Sequence, residues 1–256
     1  MPDESLFDLA GRRALVTGGS RGIGAATARL LARCGADVAL TYRTRRAEAE
    51  AVAKDITALG RRASVHRVEL STRRNVDATI DGIALAWDGL DILIGNAGIW
   101  PSDEAAVRDM PDERWSQTMA ENVDGMFYST RAALRAMRDG GRVVLVSSTA
   151  GQRGESMHAD YAASKGAMIS FVKSVAIEVA RRGITVNSVA PGWVDTEMCA
   201  DPFAGGGRDR IAQNIPVGRI ASVDDIAGPI VFLCTNAARH ITGEILNVNG
   251  GSVLCG

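Results

Sequence analysis

Tyr161 and Lys165 stand four residues apart in the segment Tyr161-Ala-Ala-Ser-Lys165. On a helix that spacing puts both side chains on one face. A phenol with an ordinary pKa of about 10 is a poor proton carrier at neutral pH. A cation about 4 Å away, at an effective dielectric of about 20, favours the phenolate by roughly 4 kcal/mol. The pair therefore predicts a Tyr161 pKa near about 7, where general acid/base catalysis works best. Ser148 closes the apolar run Arg142-Val-Val-Leu-Val-Ser-Ser148, read as a strand, and can offer its hydroxyl to the same substrate oxygen. A Y-x-x-x-K pair alone is common on exposed helices, so the reading depends on the elements around it.

Those elements alternate. Arg13–Val16 is a short apolar run leading into Thr17-Gly-Gly-Ser-Arg-Gly-Ile-Gly24, and Ala25–Cys34 follows with helical spacing. A strand, a glycine-rich turn and a helix make an anion site, because the helix N-terminus directs free N–H groups at a pyrophosphate. Gly18, Ser20, Arg21, Gly22, Ile23 and Gly24 of this turn are the candidate phosphate contacts. Its spacing departs from G-x-G-x-x-G.

Asp37–Tyr42 reads as the second strand. NAD-binding folds usually place an acid near its end for the ribose 2′-hydroxyl. Tyr42 and Arg43 stand there instead, with Arg21 close by. Guanidinium groups pair bidentately with a phosphate, which favours NADP(H) over NAD(H). Arg45 and Arg46 read as solvation of the next helix.

The pattern repeats: helix Ala47–Leu59, strand Ser64–Glu69, helix Asn75–Trp87, strand Ile92–Ile94. It predicts an α/β fold with a parallel sheet covered on both faces. Asn96-Ala-Gly98 follows with small residues, as if a flat ligand passes over it, and Trp100 is a candidate wall of the substrate site. A long helical segment is expected over Trp115–Arg138. Asn122 in its middle is a poor helix former and requires a polar network or a kink. After the Tyr161 helix comes the buried strand Ile184–Ala190, broken by Pro191-Gly192. The stretch 193–216, with three consecutive glycines, reads as an irregular mobile lid. A helix over Val223–Leu233 and a strand over Glu244–Val248 complete the chain.

The 256 residues fit one domain, 1–256, and a net charge of −1 gives no sign of nucleic acid or an anionic membrane as the main partner, so no nucleic acid and no membrane are expected. Met1–Ser5 is acidic and lacks the apolar core of a signal peptide, and no apolar run approaches the roughly 18 residues of a membrane span. Cys34, Cys199, Cys234 and Cys255 are scattered, without zinc spacing, which favours reduced thiols, a cytoplasmic protein and no metal. His66, His158 and His240 read as surface or packing residues; His158 is the one placed to line a substrate mouth.

Thr17-Gly-x-x-x-Gly-x-Gly24, Asn96-Ala-Gly98, Asn122, Ser148, Tyr161-x-x-x-Lys165 and Pro191-Gly192 occur in an order that resembles the short-chain dehydrogenase/reductase family from about Leu6 to Gly251. The resemblance implies a Rossmann fold, a doubly wound seven-stranded parallel sheet with flanking helices. It implies a catalytic set of Asn122, Ser148, Tyr161 and Lys165. Tyr161 would exchange the proton with a carbonyl or alcohol oxygen, which Ser148 would hold. Lys165 would bind the nicotinamide ribose and lower the Tyr161 pKa, and Asn122 would anchor a proton-refilling water chain. Asn96, Ala97 and Gly98 would border the cofactor; Pro191, Gly192, Val194 and Thr196 would grip the carboxamide. Glu69, followed by Leu70, stands where the family has an aspartate near the adenine, and Gly95 replaces a first asparagine. Tyr42-Arg43 matches the NADP-preferring members.

Ile184–Gly192 and Ile241–Gly251 resemble bacterial 3-oxoacyl-carrier-protein reductases, although sugar, steroid and diol dehydrogenases share this framework. The small-molecule substrate implied is a 3-oxoacyl thioester, with a small alcohol, sugar or cyclic diol as the alternative. A non-catalytic dinucleotide sensor is disfavoured because Ser148, Tyr161 and Lys165 are all present. If an acidic acyl carrier protein docks, Arg135 and Arg182 are the candidate contacts. The family also implies a homotetramer built on the Trp115–Arg138 and Tyr161–Arg181 helices.

Overall fold

The computed structural model describes residues 6–254; Met1–Ser5, Cys255 and Gly256 fall outside them. Strand and helix alternate as the periodicity requires. β1 (Arg13–Val16), α1 (Gly22–Arg33), β2 (Asp37–Tyr42), α2 (Arg46–Ala58), β3 (Ala63–Arg67), α3 (Arg73–Trp87) and β4 (Leu90–Gly95) form the first half. The second comprises α4 (Asp112–Met119), α5 (Gly125–Ala136), β5 (Met137–Val146), α6 (Thr149–Arg153), α7 (Ala159–Val179) and β6 (Thr185–Pro191). Two short helices, α8 (Ala200–Phe203) and α9 (Gly207–Gln213), precede α10 (Val223–Cys234) and β7 (Ile245–Val248).

Among the described residues the seven strands form one parallel sheet in the order β3-β2-β1-β4-β5-β6-β7. Every residue of Leu90–Gly95 and Thr185–Pro191 is buried, as central strands covered on both faces require. One core lies between the sheet and α1, α2 and α10, around Leu31, Val52 and Ile230. The other lies beneath α3, α5 and α7, around Ile80, Ala133 and Val172. Strand order reverses between β1 and β4, and a crevice opens there at the strands' carboxyl ends.

Three expectations require correction. The helix anticipated over Trp115–Arg138 is interrupted by a π-helical turn at Ala120–Asp124 and stops at Ala136, because Met137 turns extended and pairs with Leu90. Strand β5 ends at Val146, so Ser148 is not a strand residue. It caps α6, its hydroxyl accepting the Ala150 N–H at 3.1 Å. The stretch 193–216 is not irregular: it carries a 3₁₀ turn at Glu197–Cys199 as well as α8 and α9.

Candidate active site

The crevice is a cleft of about 310 Å³ bordered by the glycine turn, the ends of β2, β4, β5 and β6, and α7. Gly18, Ser20, Arg21, Gly22, Ile23, Tyr42, Arg43, Glu69, Leu70, Asn96, Ala97 and Gly98 all line it. So do Ser148, Tyr161, Lys165, Pro191, Gly192, Val194 and Thr196. Gly24 and Asn122 stand behind the wall. A Cβ on Gly24 would lie 2.3 Å from the Gly18 carbonyl oxygen, so the turn can fold back on α1 only without one.

Asn96 locks that turn to the sheet. Its amide donates to the Thr17 and Gly18 carbonyls at 3.0 and 3.2 Å, while the Thr17 hydroxyl accepts the Asn96 and Ala97 N–H groups. Helix α1 has no side-chain cap, which leaves its first N–H groups for an anion. At the β2 end of the cleft the Arg43 guanidinium donates to Glu121 Oε1 at 2.6 Å, and Arg21 donates to Glu197. Arg45, read as a solvating residue, also reaches Glu197, at 3.1 Å, and borders the cleft. Arg46 pairs with Glu50 as a surface residue would. An uncapped helix terminus flanked by guanidinium groups fits the anionic end of a dinucleotide.

At the other end, Tyr161 and Lys165 sit one turn apart on α7, with Lys165 only 4% exposed. Lys165 Nζ donates to the Val146 carbonyl at 2.8 Å and lies 5.8 Å from the Tyr161 ring centroid. Burial takes the Lys165 pKa from its usual 10.5 down to about 8. The Tyr161 phenol moves the other way: burial pushes it well above its ordinary value, and hydrogen bonding from Ser148 only partly opposes that. The value near 7 expected from a neighbouring cation is therefore not a property of this arrangement. Desolvation dominates at Tyr161, while the Lys165 ammonium is directed at a backbone carbonyl.

Asn122 is fully buried in the π turn. Its Oδ1 accepts the Ile99 N–H at 2.8 Å, and its Nδ2 donates to the Ile99 carbonyl at 2.9 Å and to Ser164 Oγ at 3.0 Å. The Ser164 hydroxyl donates in turn to the Tyr161 carbonyl at 2.7 Å. The predicted polar network and the backbone irregularity are thus one feature. Helix α6 lies against α7 so closely that a Cβ on Gly151 would be 2.5 Å from the Lys165 carbonyl carbon. The Ser148 cap and the Tyr161 helix are thereby fixed to one another.

The substrate side has walls that the sequence indicated only in part. Trp100 and Trp193 meet edge-on at 6.4 Å, both bordering the cleft. His158 does not form the mouth; it stacks behind Trp100 at 4.7 Å. Arg182, a candidate docking residue, is tied down, donating to Asp139 and to the Leu134 and Met137 carbonyls. Glu121, Glu155 and Glu197 were missed as cleft residues. Glu155 and Glu197 adjoin expected site segments, but the arginines that Glu121 and Glu197 meet, Arg43 and Arg21, come from distant ones, so no local spacing marks these contacts.

A parallel sheet with a phosphate-ready turn, and a Tyr–Lys–Ser cluster in the same cleft, define a nicotinamide-dinucleotide-dependent oxidoreductase. Comparison with known proteins agrees. The family model described as enoyl-(acyl carrier protein) reductase matches residues 18–252. The 3-oxoacyl-acyl-carrier-protein reductase FabG of Vibrio cholerae is 39% identical over 96% of this chain and 98% of its own length. That of Escherichia coli is 38% identical over 94% and 97%. Among solved structures, a short-chain dehydrogenase/reductase from Serratia marcescens superposes with a TM-score of 0.90 at 36% identity, covering 95% and 98% of the two chains. A short-chain dehydrogenase from Burkholderia cenocepacia in complex with NADP gives 0.90 at 39% identity, with coverage of 95% and 98%. The chain belongs to the short-chain dehydrogenase/reductase family. No helix among the described residues is long and apolar enough to cross a membrane.

Proposed function

We propose that the chain uses NADPH to reduce the ketone of 3-oxoacyl thioesters to a secondary alcohol in the cytoplasm. The observation that carries this is the meeting of Ser148, Tyr161 and Lys165 with Arg21 and Arg43 in one cleft, in a chain 39% identical to a 3-oxoacyl-acyl-carrier-protein reductase. NADPH, when bound, supplies the hydride. Ser148 holds the ketone oxygen and orients it. Tyr161, kept protonated at neutral pH by its burial, donates the proton to that oxygen. A donor-ready phenol suits the reductive direction. Lys165 fixes the floor of the site through Val146 and is placed to hold the nicotinamide ribose. Asn122 acts behind the cleft by holding Ile99. Arg21, Arg43 and Arg45 pair with the 2′-phosphate, Glu69 and Leu70 border the adenine, and Pro191–Thr196 grip the carboxamide.

Residues 193–216 serve as the lid over this site, now read as jointed short helices. A homotetramer is supported by exposed apolar side chains on α4, α5 and α7, at Trp115, Phe127 and Ile177. For an acidic acyl carrier the exposed Arg135 remains the candidate contact, since Arg182 is committed internally. The test is oxidation of NADPH and of NADH, followed by absorbance, with an acetoacetyl thioester. Turnover with NADPH and little with NADH is expected. Tight NADPH binding without turnover would instead direct attention to cyclic ketones and sugars.

A further inference from the structure

Glu155 lies on the substrate side of the cleft, which it borders together with Trp100, Tyr161 and Cys199. Trp100 faces the cleft from the wall that stacks on His158, in the same turn as Glu155, and the Glu155 charge is felt at both the Tyr161 phenol and the Cys199 thiol. The nearest basic groups, Arg153 and His158, act on it only through space; burial outweighs them and pushes its pKa up. A partly buried carboxylate without a cationic partner is costly and persists where a ligand satisfies it.

The turn that carries Glu155 is fixed. Met157 adopts φ +66°, a left-handed conformation unfavourable for a non-glycine residue. Its carbonyl accepts the Ala105 N–H at 3.0 Å, and His158 N–H closes the turn on the Glu155 carbonyl at 3.2 Å. The His158 ring stacks on Trp100, joining this turn to the opposite wall. Glu155 is therefore presented by a braced support, in the cleft that the Tyr161 side chain also borders.

We infer that Glu155 and Trp100 form a subsite for a hydroxyl group carried next to the reacting ketone, on the acyl side. A substrate hydroxyl donates to the carboxylate in a charge-assisted hydrogen bond, whereas an unsubstituted alkyl chain leaves that carboxylate unpaired. The preferred substrates are then hydroxylated 3-oxoacyl thioesters. This inference rests on the thioester reading proposed above.

The test uses a matched pair, the N-acetylcysteamine thioesters of acetoacetate and 4-hydroxyacetoacetate, with NADPH oxidation as the readout. The quantity compared is the ratio of the two kcat/KM values in wild type, Glu155→Gln and Glu155→Leu. Because both substrates are measured on each protein, intrinsic reactivity and partial misfolding cancel. The ratio is expected to fall about tenfold from wild type to Glu155→Leu, with Glu155→Gln between them, since its amide oxygen can still accept. A ratio that stays within twofold across the three proteins, both substrates slowing together, would overturn the subsite and leave Glu155 a structural residue. Wild type that reduces both compounds without preference also overturns it. Wild type that binds NADPH but reduces neither removes the thioester reading, and this inference with it.

Discussion

Asn122 holds Ile99 by both of the latter's backbone polar groups, at 2.8 and 2.9 Å. The contact joins the π turn to the chain leaving β4, where the cleft begins. Asn122→Ala leaves the partly buried Ile99 N–H and C=O unpaired, at a cost of about 1–2 kcal/mol each. Urea denaturation is expected to show a loss of roughly 2–4 kcal/mol, with kcat reduced at least about tenfold. Loss of activity at unchanged stability would instead restrict Asn122 to the supply of protons.

Replacement of the proton donor leaves the support intact. Tyr161→Phe keeps the ring and its packing, so NADPH affinity by fluorescence titration should change less than about threefold, while kcat falls at least about 100-fold. A variant retaining more than about one per cent of wild-type kcat would exclude proton transfer by Tyr161.

The two ends of the cleft can be perturbed separately. Arg43→Ala removes a guanidinium from the proposed 2′-phosphate site, and the ratio of NADPH to NADH affinity should drop roughly tenfold. An unchanged ratio would reject that assignment.

Burial of Lys165 also has a signature in stability. Its folded value of about 8 lies below the ordinary 10.5, so between these values the unfolded chain holds more protons than the folded one. Its contribution makes the ligand-free protein more stable as pH rises from about 8 to 10, by at most roughly 3 kcal/mol. Tyr161 acts oppositely at higher pH, because a raised phenol loses its stabilising difference above about 10. Denaturation curves of wild type and Lys165→Met across this range should differ in slope, and parallel curves would count against the Lys165 contribution.

Arg135 and Arg182 should now separate. Arg182→Glu loses three hydrogen bonds and places a carboxylate against the Leu134 and Met137 carbonyls, so it should destabilise the fold by about 1–3 kcal/mol. Arg135→Glu should leave stability within about 0.5 kcal/mol and slow a carrier-linked substrate more than a small thioester. Equal slowing of the two would remove Arg135 from the docking surface.

What could be read in one dimension was what is local. β1, the glycine turn and α1 follow each other directly, and β2 ends at Tyr42 as expected. Asn122 was visible as an irregularity because asparagine does not belong inside a helix, but the π turn depends on its bonds to Ile99 and Ser164. Arg45 and Arg46 show the boundary most clearly. Arg46 pairs with Glu50 and Arg45 with Glu48 about one turn on, which spacing reveals; Arg45 also pairs with Glu197 from the far side of the cleft, which spacing does not. The Tyr161 pKa failed for a related reason. Charge spacing is legible along a chain, whereas depth of burial is a property of the assembled core.

Gly151 touches neither wall of the cleft, yet its missing side chain lets α6 rest on the backbone of Lys165. Any larger residue must displace the support beneath Ser148 relative to Tyr161. In a saturation scan Gly151 would thus be as intolerant as the proton donor itself, and alanine, usually the mildest replacement, would already be inactivating. The active geometry is guarded as much by an absent methyl group as by the hydroxyls that face the substrate.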